Sequence, residues 1–249
     1  MNVAMNTRVL WVDVREGLLG IVREPTALFF SIVMPVGFFA ILVNLWGNES
    51  AGSVPAGTSM LATFGTFGLL SVLMFNPGVQ VADDRERGWL RAKRVSATPL
   101  PVSLAAACIA AVPYAIGVLT AMSLTSLVVG TFDMSMFTWL RMVTVMVVGG
   151  LPFALFGLGV GLLASPNASA AILNAVMIPS VIASGLMFPL EMLPDVFADI
   201  APMLPPYHVS QLGLAQIEGG PVLVHVVMLA LFAAVAAVFA GFAYRRTRP

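Results

Sequence analysis

Charged side chains are scarce in this chain: twelve Lys and Arg with twelve Asp and Glu, 10% of 249 residues. That scarcity excludes an ordinary water-soluble domain, in which about a quarter of the residues are charged. A single cysteine, Cys108, excludes an internal disulfide, and it falls in an apolar stretch that says nothing firm about redox compartment. There is no zinc-ligand spacing, no nucleophile elbow and no phosphate loop. Gly157-Leu158-Gly159-Val160-Gly161 lacks the strand and the Lys that such a loop requires. It reads instead as a small-residue face for close helix packing, with Gly157 and Gly161 at the needed spacing. No internal repeat is visible.

What fills the chain is apolar surface. It is 59% hydrophobic with a mean hydropathy of +0.96. The apolar residues come in runs near or above twenty, enough to cross about 30 Å of hydrocarbon as a helix. A soluble chain would alternate apolar and polar faces. The pattern predicts an all-α integral membrane protein, one transmembrane domain over 1–249. Six spans are expected: about Thr26–Trp46, Ser59–Ala82, Pro101–Val129, Met136–Leu163, Ala168–Phe188 and Pro221–Tyr244. Strands would have to close into a barrel, and short alternating segments are absent. The third and fourth spans are the longest, with Pro113, Pro152 and several glycines as candidate breaks or tilts.

The basic residues set the expected orientation. Arg8, Arg15 and Arg23 precede the first span; Arg85, Arg87, Arg91, Lys93 and Arg94 separate the second from the third; Arg245, Arg246 and Arg248 follow the sixth. With six spans all three groups share one side, only Arg141 lies opposite, and the shared side is read as cytoplasmic. The far side carries Glu49, Asp133, Glu191, Asp195, Asp199 and Glu218, so zero net charge conceals a dipole. A multi-pass protein of the cell membrane with both termini in the cytoplasm is expected. The first apolar run is longer than a signal-peptide core and starts after about twenty-five residues, so no removable leader is expected.

Three segments outside the spans draw attention. The first, 1–25, interleaves Leu10, Trp11, Val14, Leu18, Ile21 and Val22 with Arg8, Asp13, Arg15, Glu16 and Arg23. At helical spacing this makes an amphipathic helix lying along the cytoplasmic membrane surface. Two readings stand: a plain anchor, or a helix whose polar face docks a partner. The second, 83–100, contains Asp83-Asp84-Arg85-Glu86-Arg87-Gly88-Trp89-Leu90-Arg91-Ala92-Lys93-Arg94, eight of the twenty-four charges. Topology alone would not need its acids, and mixed signs suit a protein contact better than lipid, although a solvated loop is the plainer reading. The third, 189–220, is too apolar for a free loop and too broken by Pro189, Pro194, Pro205 and Pro206 for one span. Short re-entrant helices on the outer side are expected between spans five and six, as a gate or as a lid sealing the bundle.

Polar groups in or near spans are few. Arg141 and His225 sit near span ends and are expected to snorkel. Asn76 and Asn174 are candidates for interhelical hydrogen bonds, and Gln80 lies near the end of span two. The spans hold no Asp or Glu away from their ends. That counts against a proton- or sodium-coupled transporter, which normally needs intramembrane ionisable groups. A non-transporting scaffold or sensor would explain the charged inner surface but not the proline-broken outer segment.

The order of parts resembles the permease subunits of type-2 ABC exporters, the daunorubicin-resistance-like group of drug and antibiotic efflux systems. An amphipathic helix ending Arg23-Glu24-Pro25 precedes the spans. Asp84-Arg85-Glu86-Arg87-Gly88-Trp89-Leu90-Arg91, followed by Ala97-Thr98-Pro99-Leu100-Pro101, resembles the family's loop between spans two and three. Ser184-Gly185-Leu186-Met187-Phe188-Pro189-Leu190-Glu191-Met192-Leu193-Pro194 resembles its signature after span five, and Leu204-Pro205-Pro206-Tyr207-His208 the Leu-Pro-x-x-His that closes it. One departure is the short outer connection between spans one and two, which rules out the members with large outer domains as guides.

The resemblance implies an exporter half that is not itself an enzyme and moves a hydrophobic or amphipathic substrate outward. It binds no cofactor; ATP and Mg would sit on a separate cytoplasmic ABC ATPase. A second permease half, identical or paralogous, and membrane lipid are the other implied partners, and nucleic acid is not one. In the family the first helix and the loop after span two transmit ATPase closure. Carried over, Arg15, Glu16, Arg23 and Glu24 with Asp84, Glu86, Arg87, Gly88, Arg91 and Arg94 form the coupling surface. The family's path lies between spans two and five. Those spans offer Phe64, Phe67, Met74, Phe75, Met177, Met187 and Phe188, with Leu190 at the outer gate. Aromatic and Met side chains suit an adaptable apolar wall, though each equally suits a lipid-facing or packed position.

Overall fold

The computed structural model describes residues 11–20, 29–51, 54–88 and 100–247. Nine α-helices are present among them: α1 (11–20), α2 (Met34–Trp46), α3 (Ala56–Glu86), α4 (Leu100–Val129), α5 (Met136–Leu163), α6 (Pro166–Ala183), α7 (Asp195–Ile200), α8 (Pro205–Ile217) and α9 (Leu223–Arg246). A π-helical turn, Phe29–Val33, runs into α2 just before Pro35, which cannot donate to the carbonyl four residues back. A small antiparallel hairpin pairs Ser50–Ala51 with Val54–Pro55.

Five of these helices, α3, α4, α5, α6 and α9, are long and apolar enough to cross a membrane; α2 is apolar but shorter. Local chemistry sets several ends. Ser135 and Ser165 cap α5 and α6 by accepting the Thr138 and Ala168 amides at 3.1 and 3.4 Å. Gly130, with φ +82°, turns the chain out of α4. Pro113 and Pro152, the expected break points, sit inside the unbroken helices α4 and α5. Each removes one hydrogen bond, and the surrounding turns carry the helix through.

Helix α3 is the axis. It is buried on nearly every turn from Gly57 to Ala82, packed by α4, α5, α6, α8 and α2. Leu61, Phe64, Leu69, Leu70 and Leu73 of α3 meet Leu119 and Met122 of α4, Met142 and Met146 of α5, and Leu173 of α6 in one core. Helices consecutive in the chain reverse direction, so α5 runs parallel to α3, with Gly157 and Gly161 beside Met74 and Gly78, and the bundle has two chemically distinct ends. At one, Val81, Leu104, Leu158, Leu162, Ala240 and Ala243 cluster beneath Arg85, whose guanidinium donates to the Leu162 carbonyl. At the other, Thr58 donates to the Thr131 carbonyl and accepts the Asp133 amide at 3.0 Å, while Ser59 donates to Glu218. These are called the basic and acidic ends below.

The closest packing lies between α3 and α5. A methyl group added at Gly157 would run into the Met74 carbonyl oxygen, and one at Gly161 into that of Gly78. Only glycine lets the two backbones approach so far, so the Gly157–Gly161 stripe does what its spacing predicts. Helix α8 turns back among the acidic ends: Gly213 lies against Ala62 and Met146, and Pro206, His208, Val209 and Leu212 are buried. Helix α8 thus caps that end of the bundle, whereas α7 has no buried residue.

Candidate functional site

Helix α6 makes a different contact. Its buried residues are Ser169, Leu173, Met177 and Val181, one per turn, so it leans on the bundle along a single stripe. Beside that stripe, between α3 and α6, lies a cavity of about 870 Å³. From α3 come Phe67, Ser71, Phe75, Asn76, Val79, Gln80, Asp83 and Asp84; from α6, Asn174, Met177, Ile178 and Val181. Met187, Met34 and Pro166 complete it, with Gly17 and Gly20 of α1.

The cavity has a polarity gradient along α3. Toward the acidic end its wall is mainly apolar, Phe67, Phe75, Met177, Val181 and Met187 with Ser71 among them; toward the basic end it is mainly polar, Asn76, Gln80, Asn174, Asp83 and Asp84 with Val79 and Pro166 among them. Asp83 holds Arg87 at 2.9 Å. Asn76 Nδ2 and Gln80 Oε1 are buried with no hydrogen-bond partner among the described residues. An unpaired buried polar atom costs about 1–3 kcal/mol, so two in adjacent turns are a real expense to the fold. Of the two candidates for interhelical bonds, Asn76 makes none through Nδ2 among the described residues, and Asn174 donates within its own helix to Ala170, at 3.0 Å.

Four of the eight apolar candidates, Phe67, Phe75, Met177 and Met187, line this cavity. Phe64 is packed inside the bundle between the rings of Phe38 and Phe39, 6.1 and 6.3 Å away. Met74 faces a second cavity of about 100 Å³, which also has Met177 in its wall. Phe188 is exposed, and Leu190 opens a 3-10 turn that folds over Gly185. Helix periodicity alone could not separate these, because α3 is apolar around most of its circumference.

The charged candidates fall at the basic end. Arg15 and Glu16 stand exposed on α1, 3.8 Å apart. Glu86 and Arg87 are exposed at the end of α3, Gly88 follows with φ +78°, and Asp84 faces the cavity. Arg23, Glu24, Arg91 and Arg94 lie outside the described residues. Helix α1 is tied to α4: Ser103 donates to Asp13, Tyr114 donates to the Leu18 carbonyl, and Gly17 abuts Ala110 beside Gln80. Trp11, by contrast, is exposed.

His225 does not snorkel. Its ring is buried against His208, with the two Nδ1 atoms 2.8 Å apart. His208 Nε2 lies 2.9 Å from the Pro202 carbonyl, which can only accept. His208 therefore carries its proton on Nε2 and accepts from His225 through Nδ1. Burial lowers the His208 pKa, and the Pro202 bond opposes that in part. The pair staples α8 to the start of α9. Of the two histidines, His208 lies inside the 189–220 segment and His225 just after it, a weak signal that could have suggested their meeting. Arg141 stays at the surface, donating to Gln216 at 3.0 Å.

Five long apolar helices, two of them flanking an open cavity, fit a multi-pass membrane protein. The chain belongs to the ABC-2 type transporter family, whose model matches residues 8–217. It is therefore a membrane transport subunit. It is similar to the Bacillus subtilis (strain 168) protein named "Putative transport permease YvfS", with 22% identity over 200 residues, covering 80% of this chain and 82% of that one.

Proposed function

We propose that this chain is the membrane-spanning half of an ATP-driven exporter that moves a hydrophobic or amphipathic molecule out of the cytoplasm through the α3–α6 cavity. The observation that carries the reading is the cavity itself, about 870 Å³ and running from Asp83 and Asp84 to Phe67 and Met187. In a chain of the ABC-2 type transporter family, such a space between two long apolar helices fits a passing ligand better than a structural void. The basic end is the cytoplasmic one, with both termini there, in a cell-membrane protein of six spans whose first is completed by the turn before α2. ATP and Mg are held by a separate cytoplasmic ATPase, and a second permease half closes the path. Exposed Arg15, Glu16, Glu86 and Arg87, with Arg23, Glu24, Arg91 and Arg94, receive the ATPase; Gly88 turns the chain between them. Drug or antibiotic efflux is the expected physiological class.

The test is a tagged purification from native membranes in mild detergent, with mass spectrometry of stoichiometric partners. Recovery of an ATPase that is lost on charge reversal at Glu86 and Arg87 is the expected result. An intact oligomer recovered without any ATPase, under conditions that hold other such complexes together, would overturn the proposal.

A further inference from the structure

We propose that Asn76 and Gln80 form a headgroup site selecting an uncharged, hydrogen-bonding head on an amphipathic ligand, whose apolar tail lies along Phe67, Phe75, Met177 and Met187. The inference rests on the transport reading and names the ligand class of its cavity. Two polar atoms are buried there without a partner among the described residues, Asn76 Nδ2 and Gln80 Oε1. They stand one helical turn apart on α3, about 5–6 Å. Each amide carries both a donor and an acceptor, so the pair matches a group offering both, such as a sugar hydroxyl cluster or a carboxamide. Ions fit poorly. Among the described residues the lining holds no Lys, Arg or His, so an anionic head would meet the carboxylates of Asp83 and Asp84 there. A cationic head would have to compete for Asp83 with Arg87, 2.9 Å away, and for Asp84 with the contact that this residue already makes. Position in the gradient fixes the orientation: amides toward the basic end, Phe and Met toward the acidic end.

An unpaired polar group in the empty protein distinguishes a ligand site from a structural one. Structural amides are satisfied without ligand, and their loss weakens the fold; these two are not, and their loss should strengthen it. The experiment uses the purified full chain in nanodiscs with three fluorescent C12 probes carrying a glucosyl, a trimethylammonium or a sulfate head. The glucosyl probe is expected to bind best. Asn76→Leu and Gln80→Met should each weaken it about tenfold, one hydrogen bond's worth, and leave the other probes within about twofold. Both variants should melt at or above the parent temperature without ligand. Equal binding of all three heads, preference for the cation, or variants that melt lower while binding normally would each overturn the headgroup assignment and leave the cavity an amphiphile site. Failure of every probe to bind, with no ATPase co-purifying, would instead remove the transport reading beneath it.

Discussion

Helix α3 meets two of its long neighbours, α5 and α6, in opposite ways. Toward α5 it offers the carbonyls of Met74 and Gly78 to Gly157 and Gly161, backbone on backbone. Toward α6 the same turns offer Phe75, Asn76 and Val79 to an open volume of about 870 Å³. Between helices in lipid there is little hydrophobic gain, so contact depends on how closely surfaces interlock. Small residues in register let α3 and α5 lock. Large, flexible Phe and Met side chains opposite a one-per-turn stripe leave α6 standing apart. The bundle is thus built as a locked unit with one leaning helix, and the room for a ligand is where the lock is missing.

The strongest way to break that comparison is to fill the lock. Gly161→Leu places a branched side chain where the Gly78 carbonyl already sits, and no rotamer escapes backbone. Separating α3 from α5 should cost more than about 3 kcal/mol, the upper range for overpacking, and appear as loss of monodisperse protein in detergent chromatography. Gly117→Ala is the control, since a methyl group there meets open space. It should change stability by less than about 1 kcal/mol and in the favourable direction, as Ala suits a helix better. Equal damage from both would show that glycine content alone, and not the α3–α5 contact, holds the bundle.

Much of the locked unit could be read from the sequence, because it depends on length and spacing. Runs of twenty apolar residues give long helices, and Gly157 with Gly161 announces a close approach. Proline was the misleading signal: Pro113 and Pro152 each remove one hydrogen bond, too little to stop a helix of 30 or 28 residues. The leaning side was far less legible. An all-round apolar helix does not say which of its faces meets which neighbour, so Phe64 and Phe67 look alike yet fall in the core and in the cavity. Nor could Asn76 be assigned: an amide in a span suggests a partner, and its having none depends on how far away α6 stands. The His208–His225 pair joins residues on either side of a turn at Gly219 and Gly220, beyond the reach of periodicity.

A moderate effect should come from that histidine pair, which holds the cap at the acidic end. His208 is buried and its pKa is lowered by that burial, so the folded state prefers it neutral. Above the ordinary histidine range both states are neutral and the stabilisation is complete. As pH falls through about 6.5 the unfolded chain takes up a proton that the fold refuses, and stability declines by at most about 1.4 kcal/mol per pH unit. Charged groups on the neighbouring elements are engaged elsewhere or distant: Glu218 with Ser59, Arg141 with Gln216, Asp195 and Asp199 on exposed α7, and Arg245 and Arg246 at the far end of α9. Thermal unfolding between pH 8 and 5 should show this slope in the parent and a flatter one in His208→Gln. A slope unchanged by the substitution would place the sensitivity in other groups.

The smallest effect belongs to Met177, and it discriminates most finely between the two sides of α3. Met177 lies in the α6 stripe, touches Ser71 Oγ at 3.7 Å, and forms part of the wall of both cavities. Truncating a fully packed Leu or Met to Ala usually costs about 2–5 kcal/mol, because it removes contacts on every side and leaves a hole. Met177 already has space on two sides, so Met177→Ala should cost only about 1 kcal/mol. Leu173→Ala, one turn earlier in the stripe and fully buried, should show the ordinary penalty. The two variants sit on the same helix, remove apolar side chains of similar size, and differ chiefly in what surrounds them. If their melting temperatures fall equally, α6 is packed as tightly as α5, and the distinction between a locked face and a leaning one fails.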